Sequence, residues 1–187
     1  MKYNLCLCNE VGGTTEEEQV ALLNLVDNLK ATEVLEIGTF RGHTAQAIAQ
    51  NFPAVQVATV DLPPGLFPEL PDIPCERPYY DIGKQRDVIV ASNAKRFYHD
   101  SGLLNQAKLE LFGWLGKFDL VFVDGGHSLA QVLNDSLVAV ECVRSGGVIV
   151  WHDYGEPYLD TVCRVVNGLF AGAMQIPHTR LAWWRKP

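Results

Sequence analysis

Apolar positions along this chain switch repeatedly between the spacing of a helix and that of a strand. Val20, Leu22, Leu23, Leu25, Val26 and Leu29 share one helical stripe, which starts at Thr14-Thr15 and ends near Lys30. Thr15 with Glu18 three positions later fits a capping box, and Glu16, Glu17 and Glu18 place acids in the first turn. Glu33–Ile37 (EVLEI) reads as a short strand, Thr44–Gln50 as a helix and Val55–Val60 as the next strand, ended by Asp61. Gly38-Thr39-Phe40-Arg41-Gly42 joins the first strand to its helix. Strand, glycine turn, helix, strand and acid make one βαβ unit, which should be right-handed.

Leu62 to about Asp87 breaks the rhythm. Pro63, Pro64, Pro68, Pro71, Pro74 and Pro78 exclude a regular helix or central strand there. Residues 62–87 read as an insert, either a lid over a site or a packing or oligomer arm. Asp87–Asn93 reads as a short helical turn and Lys95–His99 as a weak strand, while Gly102–Lys117 is too irregular for a full helix. Phe118–Val123 (FDLVFV) and Val148–Trp151 have the composition of buried strands, with a helix over Leu129–Val143 between them. Pro157–Phe170 fits a helix with proline in its first turn. Ala173–Ile176 and Thr179–Trp184 close the chain as a hairpin around Pro177-His178. The fold expected is α/β: one Rossmann-like, doubly wound, mostly parallel seven-stranded sheet with a C-terminal antiparallel hairpin. Residues 1–187 then form one domain, with 1–13 as an N-terminal arm.

Bulk composition narrows the function classes. A hydrophobic share of 48% over 187 residues excludes a disordered chain. The net charge of −7 and the lack of any Lys/Arg run argue against a nucleic-acid partner. No apolar run is long enough to span a bilayer, and Met1–Gly13 makes a poor signal peptide, so the cytoplasm is the expected compartment. Five cysteines, odd in number and irregular in spacing, do not suggest a disulfide framework.

The chemistry lies at the strand ends. Sheets of this kind bind ligands outside the carboxyl ends of their strands, where strand order reverses. Those ends carry Gly38 and Gly42, Asp61, Asp100, Asp124 and His152-Asp153. Glycines let the backbone turn sharply and approach a ligand. A carboxylate after the second strand can accept both hydroxyls of a ribose. The loop lacks the G-x-G-x-x-G of NAD-binding proteins, which favours a different nucleoside cofactor.

VLEIGTFRG (34–42), VATVDLPPG (57–65), FDLVFVDGGHS (118–128) and GGVIVWHDYG (146–155) together resemble class I S-adenosylmethionine-dependent methyltransferases. The resemblance is strongest to the small bacterial group related to macrocin-type O-methyltransferases, and it runs from about Thr14 to the C-terminus. It implies that Glu36, Gly38, Thr39, Phe40 and Gly42 line the methionine part of S-adenosylmethionine. Asp61 would bind the ribose hydroxyls, Leu62 would lie beside the adenine, and Asp100 and Ser101 would contact the adenine edge. Asp124 would sit beneath the sulfonium. Methyl transfer to a small-molecule acceptor, at a hydroxyl oxygen, is the activity implied.

Two further features bear on catalysis. Asp124, His152 and Asp153 end neighbouring strands and offer oxygen and nitrogen ligands suited to Mg²⁺ or another divalent metal, as the resembled group also implies. His127 follows the Asp124 loop near a helix N-terminus and is placed to take a proton from a hydroxyl acceptor. An NAD-binding oxidoreductase of similar fold and a catalytically silent cofactor-binding module remain as alternatives. The acceptor's identity and a homo-oligomeric state stay open at this stage.

Overall fold

The computed structural model describes residues 2–8, 12–62, 88–99, 102, 104–157 and 160–187. The 62–87 insert beyond Leu62, together with Asp100 and Ser101, therefore lies outside the described residues. The elements run α1 (Glu16–Leu29), β1 (Glu33–Ile37), α2 (His43–Asn51), β2 (Gln56–Asp61), β3 (Ala94–Tyr98), α3 (Gln106–Phe112), β4 (Phe118–Val123), α4 (Leu129–Cys142), β5 (Val143–Trp151), α5 (Asp160–Leu169), β6 (Met174–Gln175) and β7 (Ala182–Arg185). The strands form one seven-stranded sheet in the order β3-β2-β1-β4-β5-β7-β6. All neighbours from β3 to β5 are parallel, and β7 runs antiparallel to both β5 and β6. Strand order reverses between β1 and β4, which opens the ligand crevice at the carboxyl ends of these two strands.

Side chains alternate across the sheet, so an almost unbroken apolar strand feeds two cores. Val34, Leu120, Phe122, Val148 and Val150 face one side, where Leu22, Leu23 and Val26 of α1 and Ala45, Ile48 and Ala49 of α2 cover them. Leu35, Ile37, Val121, Val123, Ile149 and Trp151 face the other, under Val132, Val138 and Ala139 of α4 and Val162, Val165 and Val166 of α5. Each fully buried Leu, Ile or Val contributes roughly 1.5–3 kcal/mol by removal from water. Trp151 is core, its indole N–H donating to the buried Ser136 hydroxyl at 3.0 Å. No described helix is long and apolar enough to cross a membrane.

Two local expectations are corrected. Val88–Asn93 is not helical. The Gln46 side chain accepts from the N–H groups of Val90 and Ala91, and the Asn93 amide donates to the carbonyls of Ala49, Phe52 and Val55. This stretch is held open because it satisfies groups around the end of α2, including carbonyls the helix cannot satisfy itself. Conversely, the irregular Gly102–Lys117 contains the two-turn α3. Asn105 caps its start by accepting from Lys108 N–H, and Gly113 ends it at φ 65°. The strand before Trp151 is also longer than its apolar run, because it begins at the buried Val143 and passes through the exposed Arg144, Ser145 and Gly146 before that run.

Candidate active site

The turn after β1 is tied to both neighbouring strands. Gly38 N–H donates to Val60 O at 2.9 Å, and Asp124 N–H donates to Ile37 O at 2.8 Å. Gly38 has φ 91°, and a Cβ there would collide with the Asp124 backbone carbonyl, so only glycine lets the two strand ends close together. Phe40 also has positive φ, at 50°. For a bulky residue this is a strained conformation, and it is held by what surrounds it. Its N–H donates to Asp61 Oδ2 at 2.9 Å, and its carbonyl accepts from the Arg96 guanidinium at 2.8 Å.

Asp61 ends β2 with both oxygens engaged once by backbone, since Oδ1 accepts from Leu62 N–H at 2.8 Å. A carboxylate has about four lone-pair positions, so these contacts leave it able to accept from a ligand hydroxyl as well. Burial raises the Asp61 pKa against those hydrogen bonds and the nearby Arg96 charge. Glu36 is buried and accepts from the Thr59 hydroxyl, which also contacts Thr39. Burial pushes the Glu36 carboxyl up to about 8, with Asp124 and Asp61 adding repulsion. The strand register places Glu36, Thr59 and Arg96 in one row across β1, β2 and β3. Sequence reasoning missed Arg96. Its signal was the alternation within KRFYH, which becomes readable only once that segment is known to pair with β2.

At the adjacent ends of β4 and β5 the structure brings together the proposed metal ligands and the proposed base. One ligand atom each from Asp124, His152 and Asp153 lies within 4.8 Å of the others. His152 Nδ1 is 3.0 Å from Asp124 Oδ1 and 3.2 Å from Asp153 Oδ2. It is buried and meets neither oxygen in hydrogen-bonding geometry. Ligands at adjacent corners of an octahedron with bonds of about 2.1 Å stand about 3.0 Å apart, so the spacing fits a divalent ion. His127 Nε2 lies 2.8 Å from Asp153 Oδ2. Asp153 itself turns through φ 56°, a conformation that aspartate tolerates better than most residues.

Glu18 and Arg180 complete this cluster, and neither was singled out from the sequence as a site residue. Glu18 is the capping-box partner of Thr15, as expected, but its carboxylate does more. Oε2 lies 3.1 Å from His152 Nε2, and Oε1 accepts from the Arg180 backbone N–H and guanidinium, each at 3.1 Å. Arg180 also reaches Asp153 Oδ1 at 3.0 Å. Burial alone would raise the Glu18 pKa, yet His152, the Thr15 N–H and Arg180 hold it down to about 2. Burial alone would lower the His152 pKa, yet Asp124, Asp153 and Glu18 hold it well above the usual histidine value. Burial likewise opposes the Asp153 charge, but the two histidines keep its carboxyl well below the ordinary range. Beside the cluster an open cleft of about 620 Å³ runs between Glu17 and Glu18 of α1 and Gln175–Arg180 of the terminal hairpin.

Comparison with known proteins fits this geometry. A family model described as "Methyltransferase domain" matches residues 35–154. No curated protein matches the chain. Among solved structures, an O-methyltransferase from Bacillus cereus in complex with SAH is 16% identical, with a TM-score of 0.61 over 95% of this chain and 84% of that one. SAH-bound PaMTH1 from Podospora anserina is 15% identical, with a TM-score of 0.60 over 93% and 80%. The O-methyltransferase TomG from Streptomyces achromogenes, involved in tomaymycin synthesis and in complex with SAM, is 17% identical, with a TM-score of 0.58 over 92% and 81%.

Proposed function

The chain belongs to the methyltransferase-domain family, and from that membership we propose that it moves a methyl group from S-adenosylmethionine to a hydroxyl oxygen of a small-molecule acceptor. The observation that carries this reading is one of placement. The Asp61-anchored loop and the Asp124–His152–Asp153 cluster meet where strand order reverses, one suited to a ribose and the other to a hydroxyl. Family membership also disfavours the oxidoreductase alternative.

In this scheme Asp61 holds the ribose, and Gly38–Gly42 lets the backbone approach the methionine part of the cofactor. Glu36 and Asp124 supply negative potential toward the sulfonium. The acceptor enters by the cleft beside Glu18 and Arg180, whose polar walls suit a polar molecule. Holding the acceptor oxygen in line behind the methyl removes much of the entropic barrier. As the oxygen–carbon bond forms, the carbon–sulfur bond breaks, its electron pair stays on sulfur, and the hydroxyl proton leaves. His127, steadied by the Asp153 carboxylate, is placed to take that proton. Asp124, His152 and Asp153 fit a divalent ion, which when bound would acidify and orient the hydroxyl. We read the chain as one domain, working in the cytoplasm, where the free thiols Cys6, Cys8, Cys142 and Cys163 stay reduced.

Calorimetry with S-adenosylhomocysteine tests the cofactor assignment. Saturable binding is expected, with no binding of NAD(H). The reverse preference, or no binding by the wild type, sinks the reading. Formation of S-adenosylhomocysteine across a panel of hydroxylated acceptors tests turnover.

The metal assignment has its own test. Chelation, or Asp153→Ala, is expected to lower turnover by about 10-fold or more, as loss of a metal ligand or its support does, while cofactor affinity stays unchanged. Turnover that survives both treatments excludes the metal.

A further inference from the structure

Glu18 sits in a helix's first turn, 134 residues from the histidine it touches. A first-turn glutamate ordinarily faces solvent and satisfies its own helix end. This one is 1% exposed and meets groups on three segments. Its partners are the Thr15 N–H, the Arg180 N–H and guanidinium, and the His152 ring. Every fixed partner is a donor, so the carboxylate is the group that suits the position, and its 3.1 Å contact with His152 Nε2, closer than the 3.5 Å approach of the Arg180 guanidinium to the same nitrogen, favours a proton there.

That proton has a consequence for the other ring nitrogen. In a neutral imidazole one nitrogen carries the proton and the other a lone pair. With Nε2 donating to Glu18, Nδ1 is the nitrogen that gives up its proton to an incoming cation, and it faces Asp124 Oδ1 at 3.0 Å and Asp153 Oδ2 at 3.2 Å. Two carboxylate oxygens and this nitrogen converge on one point, so a divalent ion can replace the Nδ1 proton and take all three as ligands. We propose that Glu18 is a positioning residue of the metal centre: its carboxylate fixes the His152 tautomer, so that Nδ1 is presented as a nitrogen ligand beside Asp124 and Asp153. This rests on the metal assignment above. It adds a carboxylate–histidine pair of the kind that orients metal-ligating imidazoles, supplied by a helix that precedes the nucleotide-binding unit in the chain. With a nitrogen in the ligand set, the centre favours Mn²⁺ and other first-row ions over Mg²⁺.

Glu18→Gln is the informative change. The amide it introduces has one accepting and one donating end, while all the positions around it except His152 are permanent donors. Turning the NH₂ toward Arg180 sets donor against donor. Turning it toward His152 forces the proton onto Nδ1 and removes the ligand lone pair. Thr15→Ala is the control, because it takes away the other half of the capping box and leaves the Glu18–His152 contact in place.

The full-length wild type and both variants are titrated with Mn²⁺ by calorimetry. The bound Mn²⁺ is then examined by electron spin echo envelope modulation for coupling to a histidine ¹⁴N. The wild type and Thr15→Ala are expected to bind with equal affinity and show the ¹⁴N coupling. Glu18→Gln should bind at least about 10-fold more weakly and lose or weaken that coupling. Unchanged affinity with intact coupling in Glu18→Gln overturns the proposal and leaves the metal assignment standing. So does equal weakening in both variants, which marks a purely structural effect, and so does wild-type binding without ¹⁴N coupling, which removes His152 from the ligand set. No Mn²⁺ binding by the wild type overturns the metal assignment and this inference with it.

Discussion

Asp61→Ala is expected to weaken S-adenosylhomocysteine binding by roughly 100-fold or more, because hydrogen bonds to a charged acceptor are each worth about 1.5–3 kcal/mol and two are lost to the ribose. The variant loses more than ligand contacts. Asp61 also accepts from the N–H groups of Phe40 and Leu62, and the former holds a bulky residue in left-handed backbone conformation. Without that anchor the loop can relax away from the shape that closes on the cofactor. Asp61→Asn keeps one accepting oxygen and separates the two effects. It should retain most of the loop and lose about 10-fold in affinity, a single charged hydrogen bond. Calorimetry on the three proteins measures both steps. An Asp61→Ala affinity within about 3-fold of wild type, less than one neutral hydrogen bond, removes Asp61 from the cofactor site.

Glu36→Gln is expected to stabilise the ligand-free protein while weakening its hold on the cofactor. Burial raises the Glu36 carboxyl from 4.5 to about 8 in the folded chain. A group whose folded pKa is raised has its full stabilising effect below the unfolded pKa. That effect fades as pH rises toward the folded value. Between pH 4.5 and about 8 the wild type therefore loses stability, at a slope of up to about 1.4 kcal/mol per unit and on the order of 3 kcal/mol by pH 7. Glutamine has nothing to ionise, so the variant's melting temperature should hold nearly level where the wild type's falls. The cofactor's cationic end reverses the balance. Its positive charge favours ionised Glu36, so binding to the wild type releases a proton near neutral pH, and heats measured in buffers of different ionisation enthalpy should differ. Glu36→Gln should lose that buffer dependence along with at least about 10-fold in S-adenosylmethionine affinity, the value of one charged contact. Thermal melts across this pH range that superimpose for the two proteins contradict the assignment.

The strand ends were legible in the sequence because burial and chemistry change abruptly there. FDLVFV closes on Asp124, and VIVW on His152-Asp153, so periodicity and residue type marked the same boundary. The sheet, with its parallel core and terminal hairpin, followed from that alternation. Contacts between segments distant in the chain were not legible. Glu18 reads as half of a capping box, and nothing local says that its carboxylate also turns inward to His152 and Arg180. Arg180 lies just past the Pro177-His178 turn, where a charged residue ordinarily meets water. Arg96 was hidden because β3 is too mixed in composition to fix its own register. The α3 helix was missed for a local reason: its seven residues are too few to show a period, and only the flanking Asn105 and Gly113 mark it.

The Glu18–Arg180 contact joins residues 162 positions apart, and this sets when a newly made molecule can become competent. The α1 helix and most of the sheet emerge from the ribosome long before the terminal hairpin, and domains commonly begin to fold during synthesis. Until Arg180 arrives, Glu18 and Asp153 have no guanidinium between them, and only the histidines stand against their charge. The turn that leads into β7 is therefore also the clasp of the catalytic end, and a nascent chain that stops short of it holds much of its sheet while its reactive corner stays unassembled.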